Sequence, residues 1–176
     1  VSFDIINTPP EKLEGLAALV SQVQRTPEDF FPDIADELIP LSTCNRVEFY
    51  FSVDRSEFAN QDSASESNRE LTFLVCDALF HAIARKTGDS VEELKGYGNT
   101  MDSSEVVHHL FRTVSGLQSI AIGETEIQGQ VKDAYLDALS TGLAGRRLTP
   151  LFEAALHGGK CVRTESGIER ARLSLG

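Results

Sequence analysis

The sequence contains little cysteine, and its cysteines are not spaced for pairing. Cys44, Cys76 and Cys161 are odd in number, lie far apart and include no Cys-x-x-Cys pair. A disulfide framework needs paired cysteines, and a structural zinc site needs closely spaced ligands. We therefore expect neither, and no metal is predicted. This use of cysteine favours a reducing, cytoplasmic environment.

Long apolar runs are also missing. No stretch approaches the roughly 20 apolar residues that a membrane-spanning helix requires. The first residues lack the basic, apolar and small segments of a signal peptide. With 176 residues and 41% hydrophobic content, the chain is nevertheless able to bury a core. We expect a folded cytoplasmic protein with no membrane association.

Basic residues are scarce, with 16 Lys and Arg against 27 Asp and Glu and a formal net charge of −11. This balance disfavours nucleic-acid binding, because contacts to phosphate rely on Lys and Arg. The charge is uneven, however, and six basic residues follow residue 142: Arg146, Arg147, Lys160, Arg163, Arg170 and Arg172. They form either ordinary solvated helix faces or a patch that faces a nucleic acid.

Hydrophobic periodicity predicts a β-α-β-β-α-β order in the first hundred residues. The predicted strands are residues 1–6, 37–41, 47–53 and 94–100, and the predicted helices are residues 11–24 and 70–87. In the third strand, apolar and polar residues alternate as in a half-buried strand. This order permits a ferredoxin-like split β-α-β fold of the α+β class.

Additional helices are predicted after this unit. Asp102 followed by Glu105 is a capping-box pattern, so a helix is expected to begin there. Residues 124–138 repeat the helical pattern, and Thr149 before Pro150 is typical of a helix start, with Thr149 as the cap. The fold class is therefore an α+β domain with further helices toward the C-terminus.

The stretch STCNR (residues 42–46) lies as a polar turn between two apolar strands. A cysteine in such a turn is more accessible than one on a core face, and Arg46 two residues later favours the thiolate of Cys44. A free cysteine is, however, most often a small buried apolar residue. On these local features Cys44 is either a reactive nucleophile or a structural residue.

Three motifs resemble one enzyme family. Residues 42–46 with VEFY (47–50) are similar to the active-site signature of glutamyl-tRNA reductases. Residues 109–135, from HLFRTVSG to KDAY, resemble that family's long internal motif, and residues 151–168 resemble a third. The resemblance implies the first committed enzyme of the five-carbon route to tetrapyrroles, including porphyrins. It also implies the ferredoxin-like catalytic domain.

The resemblance assigns a role to individual residues. Cys44 is implied as the catalytic nucleophile, and His109 as a proton donor to the leaving ribose oxygen or an orienter of the ester. The structural alternative is that His109 is an ordinary helix residue whose ring is hydrogen-bonded. The implied substrate-binding residues are Thr43, Asn45, Arg46, Ser119, Glu124, Thr125, Glu126 and Gln130. Glu48 is expected to be a partner of Arg46 or a strand-face residue, since residues i and i+2 share one face.

Two positions depart from the family pattern. The first loop of the family usually carries a His-Lys pair, and NTPP (residues 7–10) stands there in this chain. Glu126 replaces the Gln of most relatives, so an extra carboxylate is expected near an anionic substrate. It is either a substrate contact or a capping acid on a solvated first turn.

The resemblance further implies a division of the chain. We expect residues 1–145 to be the N-terminal catalytic domain and residues 146–176 a helical linker toward an NADPH-binding domain. No Gly-x-Gly-x-x-Gly follows a strand in this sequence, so NADPH is expected to bind the missing domain. Expected partners are glutamyl-tRNA(Glu), a second subunit through a missing C-terminal domain, and glutamate-1-semialdehyde aminomutase by channelling.

Two rival functions remain open at this point. The first is a thiol hydrolase or acyltransferase, which would turn over simple esters, although the chain has no local cysteine-protease signature. The second is a non-enzymatic module that binds tRNA or a regulator and in which Cys44 is inert. Thiol reactivity near neutral pH separates an active cysteine from an inert one.

Overall fold

The structure is a computed structural model that describes residues 1–4, 6–25, 35–53, 64–118 and 126–166. In these ranges the chain is rich in helix, with a small antiparallel sheet. The elements are β1 (Ser2–Asp4), α1 (Pro10–Arg25), β2 (Glu37–Ser42), β3 (Arg46–Ser52), α2 (Ala64–Thr87), α3 (Val91–Tyr97), α4 (Ser103–Val114), α5 (Glu126–Ser140) and α6 (Leu148–Ser166).

The sheet has the strand order β1-β3-β2, and β3 is antiparallel to both neighbours. β1 and β2 therefore run in the same direction, and α1 connects them. In the central strand, Glu48 pairs with Ser2 on one side and with Leu41 on the other. This register places the middle of β3 at the centre of the sheet.

The strand predicted over residues 94–100 is wrong for most of its length. Val91–Tyr97 is α3, because Ser90 and Glu93 form a capping box that starts a helix. Only Asn99 reaches the sheet, where it forms an isolated bridge with Ser2 through two backbone hydrogen bonds of 2.8 Å. A ferredoxin-like fold beyond the three strands stays a prediction.

Both faces of the sheet are covered by helices. On one face α1, α2 and α3 enclose a first core, which includes Phe3, Leu16 and Phe49. On the other face α4, α5 and α6 enclose a second core, which includes Ile39 and Phe152. The prediction that β3 is half-buried is therefore wrong, since its central residues are buried on both sides.

The two predicted helix starts have different outcomes. Asp102 caps α4 as expected, and the Glu105 side chain accepts a hydrogen bond from the backbone N–H of Asp102 at 2.9 Å. α6 begins at Leu148 instead of after a Thr149 cap. The carboxylate that caps α6 belongs to Glu37 of β2.

Glu37 is buried and accepts hydrogen bonds from three backbone N–H groups at the start of α6. The distances are 3.0 Å from Gly145, 3.0 Å from Arg147 and 2.7 Å from Leu148. A Cβ at Gly145 would lie 2.9 Å from a carboxylate oxygen of Glu37, so glycine gives the carboxylate room to reach these groups. β2 therefore fixes where α6 begins.

Other expectations concern cysteine and the membrane. All three cysteines are free, as expected, and they differ in exposure: Cys44 is exposed, Cys76 is buried and Cys161 is partly exposed. Cys161 Sγ lies 3.7 Å from His157 Nε2 on α6. None of the helices in the described ranges combines the length and the apolar character needed to cross a membrane.

Candidate active site at the β2–β3 turn

The turn that carries Cys44 is held by the residue before it. The backbone N–H of Thr43 donates to Arg46 O at 2.9 Å. The Thr43 hydroxyl oxygen accepts from the backbone N–H groups of Asn45 and Arg46 at 3.3 and 3.2 Å. These bonds close a tight turn that leaves Cys44 exposed, as the sequence predicts.

Arg46 begins β3, and its guanidinium binds three oxygen atoms. Nη1 donates to Gln118 Oε1 at 2.9 Å and to Glu48 Oε1 at 3.4 Å, and Nη2 donates to the Gln118 backbone oxygen at 2.6 Å. The predicted pairing of Arg46 with Glu48 is confirmed. Gln118 lies four residues after the end of α4, so Arg46 links the turn to the segment after that helix.

Glu48 is the centre of a buried polar cluster that we call the Glu48 cluster. It consists of Ser2, Arg46, Glu48, Tyr50 and His109. Glu48 Oε1 accepts from Ser2 Oγ at 3.0 Å and lies 2.6 Å from His109 Nε2, while Oε2 accepts from Tyr50 OH at 2.6 Å. Among the described residues, this carboxylate thus has four polar protein partners in an otherwise apolar layer.

The surroundings of Glu48 keep it ionised. Burial by itself acts to raise the pKa of Glu48, but the hydrogen bond and charge of His109 oppose it, helped by Tyr50 and Arg46. The balance lowers the pKa of Glu48 from 4.5 to about 2. Burial beside this carboxylate also raises the pKa of Tyr50 well above 10. Glu48 is therefore an anion and Tyr50 a neutral donor near neutral pH.

His109 faces this cluster from α4. Because ionised Glu48 can only accept hydrogen bonds, His109 Nε2 must carry the hydrogen between them. That bond orients the imidazole and leaves Nδ1 as its second polar atom. The neighbouring His108 is exposed, because adjacent helical residues point about 100° apart. The structure thus separates the two histidines as the sequence predicts.

The other predicted substrate residues are less well located. Ser119, Glu124 and Thr125 lie outside the described residues. Glu126 is exposed at the first residue of α5, and Gln130 is half-buried one turn later. Within the described ranges, no hydrogen bond joins Glu126 or Gln130 to the β2–β3 turn. Their roles, like that of Asn45, stay predictions.

The basic residues near the C-terminus do not all face outward. Arg163 is buried, and Arg147 is half-buried with its Nη1 donating to Val53 O. Arg146 and Lys160 are exposed, whereas residues 170 and 172 lie outside the described ranges. Of the four described residues, only two are placed to meet a nucleic acid, so the predicted patch is reduced.

Sequence reasoning missed several partners at this site. Ser2, Tyr50 and Gln118 were not identified as polar contacts. A signal for Tyr50 exists, because Arg46, Glu48 and Tyr50 recur at every second position of one strand and so share a face. Ser2 and Gln118 are distant in sequence, and only the strand register and the path after α4 bring them here.

The site is built for hydrogen bonding. Among the described residues, no group of three or more His, Cys, Asp or Glu side chains is arranged to hold a metal ion. The chemistry available on these residues is an exposed thiol, a guanidinium and an oriented imidazole. These groups suit nucleophilic attack, anion recognition and proton transfer, respectively.

Comparisons with known proteins point to one family. The family model described as glutamyl-tRNAGlu reductase, N-terminal domain, matches residues 1–166. The glutamyl-tRNA reductase of Carboxydothermus hydrogenoformans is 37% identical over 145 residues, which cover 82% of this chain and 28% of that protein. The enzyme of Streptomyces avermitilis is 36% identical over 155 residues, covering 88% and 24%.

A solved structure agrees with these sequences. Glutamyl-tRNA reductase from Methanopyrus kandleri superposes with a TM-score of 0.59 at 27% identity, covering 93% of this chain and 33% of that chain. This chain therefore spans about a quarter to a third of the length of the relatives it matches. The matched family model covers nearly the whole chain, and the chain belongs to the glutamyl-tRNA reductase family as its N-terminal domain.

Proposed function

We propose that this chain binds glutamyl-tRNA(Glu) and forms a glutamyl thioester on Cys44, as the catalytic domain of an NADPH-dependent glutamyl-tRNA reductase. The observation that carries the proposal is the exposed Cys44 on a closed turn whose next strand begins with Arg46, anchored in the Glu48 cluster. The reaction would serve the first step of tetrapyrrole and porphyrin synthesis. We assign it to the cytoplasm.

The thioester step follows from the chemistry of the ester. The Cys44 thiolate attacks the carbonyl carbon of the glutamyl ester and forms the carbon–sulfur bond. The bond between that carbon and the ribose oxygen then breaks. Its electron pair stays on the ribose oxygen, which takes up a proton. The products are a glutamyl thioester on Cys44 and free tRNA.

Arg46 is the residue we assign to the side-chain carboxylate of glutamate. A guanidinium binds a carboxylate through two parallel N–H donors, which gives both charge and direction. Arg46 is only 12% exposed, and its bonds to Glu48 and Gln118 limit its rotation. A fixed cation close to Cys44 in sequence supports selection of glutamate at the reacting thiol.

His109 is the residue we assign to the leaving ribose oxygen. Glu48 holds its Nε2–H, so a protonated His109 would present Nδ1–H as the proton donor. The remaining predicted substrate contacts are Thr43, Asn45, Ser119, Glu124, Thr125, Glu126 and Gln130. Thr43 already uses its hydroxyl to close the turn, so we assign it to positioning Cys44 as well.

NADPH does not fit the residues that this structure describes. Dinucleotides bind where a glycine-rich turn joins a parallel strand to a helix, whereas this sheet is antiparallel and the sequence contains no Gly-x-Gly-x-x-Gly. We propose that NADPH binds another part of the whole protein and supplies hydride for reduction to glutamate 1-semialdehyde.

Dimerisation and channelling to an aminomutase are likewise proposed for the whole protein. We propose the ferredoxin-like class and the division at residues 145/146 on family resemblance.

The test is intact-protein mass spectrometry after brief mixing with glutamyl-tRNA(Glu) and an acid quench. We expect an added glutamyl mass on the wild-type chain, lost in Cys44→Ser and kept in the matched control Cys161→Ser. Without hydride, slow hydrolysis of the thioester should release glutamate and free Cys44 for further rounds, so that the pool of glutamyl-tRNA is slowly deacylated. A chain that binds the tRNA but shows neither an adduct nor deacylation would contradict the proposal and favour the binding module.

A further inference from the structure

One edge of the Arg46 guanidinium has no hydrogen-bond partner among the residues that the structure describes. Arginine has five N–H donors in a planar fork. Nη1 uses its two hydrogens on Gln118 Oε1 and Glu48 Oε1, and Nη2 uses one on the Gln118 backbone oxygen. Nε–H and the second Nη2–H remain, and they point in parallel from one edge of the plane. Within the described part of the chain, neither has a hydrogen-bond acceptor.

Gln118 fixes the plane from the opposite side. Its Oε1 accepts from Arg46 Nη1 at 2.9 Å and from Thr113 Oγ1 at 3.0 Å. Because a guanidinium can only donate, the amide atom that faces Arg46 must be the oxygen, and the Thr113 hydroxyl then donates to the same atom. Thr113 is buried, so its hydroxyl is a fixed support for this amide. Side-chain and backbone oxygens of Gln118 thus bind the guanidinium as the two oxygens of a carboxylate would.

We propose that Gln118, supported by Thr113, is a positioning residue that holds Arg46 so that its free Nε–Nη2 edge receives the side-chain carboxylate of the glutamyl group. This inference rests on the proposed function. It adds a specificity device on α4 and the segment after it, outside the STCNR turn. Gln118 acts through Arg46 and is not assigned a contact with the substrate.

The free edge discriminates between two nearly isosteric side chains. A carboxylate offers two acceptor oxygens to the two parallel donors of the edge. A glutamine side chain offers one oxygen and one NH₂ group, so one arginine donor would face another donor. The discrimination depends on the angle of the guanidinium plane. Loss of the Gln118 side chain should therefore weaken the preference for glutamate more than it weakens binding of tRNA.

The experiment uses one tRNA that is aminoacylated with either of two amino acids. The Cys44→Ser chain, which cannot form the thioester, is titrated with tRNA(Glu) carrying either glutamate or glutamine, alone and with Gln118→Met added. Met preserves the length of the side chain but removes its acceptor oxygen. We expect the preference for the glutamyl form to fall about tenfold in Gln118→Met, as for loss of one hydrogen bond to a charged group. Affinity for uncharged tRNA should stay within about twofold.

A second pair of variants tests the support of Gln118. Thr113→Val removes the hydroxyl with little change in volume and should lower the same preference less than Gln118→Met does. Thr113→Ser keeps the hydroxyl and should restore it. Thermal unfolding of each variant checks that the fold is intact.

Three results would overturn the inference. They are an unchanged preference in Gln118→Met, an equal loss in Thr113→Ser and Thr113→Val, and equal binding of the two charged tRNAs by the Cys44→Ser chain. None of these results requires acylation. Failure of the proposed function is read separately, as a missing glutamyl adduct on the wild-type chain.

Discussion

The two faces of β3 are equally buried but chemically different. Val47 and Phe49 point into the first core, whose buried members are apolar side chains and Cys76. Arg46, Glu48 and Tyr50 point to the opposite face, where they are joined by hydrogen bonds inside the second core. Burial therefore does not distinguish the apolar face from the face of the candidate site. A buried charge held by several hydrogen bonds among the described residues does.

The same contrast extends to the whole sheet. Among the described residues, the buried charged side chains are Glu37, Glu48 and Arg163. Glu37 and Glu48 lie on the α4–α6 side of the sheet, and Arg163 belongs to α6. On the α1–α3 side, the buried core that packs against the sheet is formed by apolar side chains and Cys76. The α4–α6 side adds fixed charges. These charges hold the β2–β3 turn, α4 and the start of α6 in place relative to one another.

The largest effect on stability is expected on the apolar face. Phe49→Ala should lower the free energy of unfolding by about 3–5 kcal/mol, because it removes a fully buried ring from a closed core. Denaturant unfolding measures this. Phe73→Ala is the matched control, since Phe73 is mostly exposed, and it should cost less than about 1 kcal/mol. Equal costs for the two variants would show that the first core is not closed around Phe49.

Acid should act through the polar face. The pKa of Glu48 is lowered from 4.5 to about 2 in the folded chain, which corresponds to about 3 kcal/mol of stability. Since the folded value is the lower one, this contribution is complete above pH 4.5 and is lost as the pH falls from about 4.5 to about 2. Denaturant titrations across this range measure it.

Glu48→Gln is the control for the acid effect. It removes the titrating group at nearly constant volume, so its unfolding free energy should fall less steeply with acid in the same window. Other carboxylates with lowered pKa values, such as Asp77 and Asp89, are present in both proteins and cancel in the comparison. Parallel curves for wild type and Glu48→Gln would argue against an ionised Glu48 in the folded chain.

A smaller effect is expected at the other buried carboxylate. Glu37→Ala should lower the free energy of unfolding by about 1–2 kcal/mol, because three backbone N–H groups at the start of α6 lose their acceptor. Circular dichroism during denaturation measures the change. Glu37→Gln retains one acceptor oxygen and should cost less. Equal losses in the two variants would contradict this account, because Gln keeps both the volume and one acceptor oxygen that Ala lacks.

The smallest effect on stability should come from Cys44 itself. Cys44→Ser should change the free energy of unfolding by less than about 0.5 kcal/mol, since the residue is exposed. A separate prediction concerns the rate at which the Cys44 thiol reacts. Burial raises the pKa of the Cys76 thiol, so iodoacetamide near neutral pH should label Cys44 at least about tenfold faster than Cys76. Peptide mapping resolves the sites, and equal slow labelling would support the inert module.

Local sequence patterns predicted the elements that depend on neighbouring residues. The Asp102 cap with Glu105, the α1 helix and the turn between β2 and β3 follow from spacing within a few positions, and each is present. The prediction failed over residues 94–97 because two signals conflicted. The Ser90–Glu93 capping box outweighed the expected strand.

Long-range partners were beyond local patterns. The pairing of Arg46 with Glu48 was predictable because both lie on one strand face. The approach of His109 to Glu48 depends on how α4 crosses the sheet, and the cap of α6 by Glu37 joins residues 108 to 111 positions apart. Motif resemblance identified His109 as a candidate, but no spacing rule in the sequence shows which carboxylate it meets.

The Glu37 cap has a consequence for how this chain can be divided. A shortened chain that ended at residue 145 would keep every strand of the sheet. It would lose two of the three N–H groups that bind Glu37, as well as the Phe152 ring of the second core. Its buried carboxylate would then attract water into the second core. A cut chosen by motif boundaries would thus disturb the β2–β3 turn from the opposite end of β2.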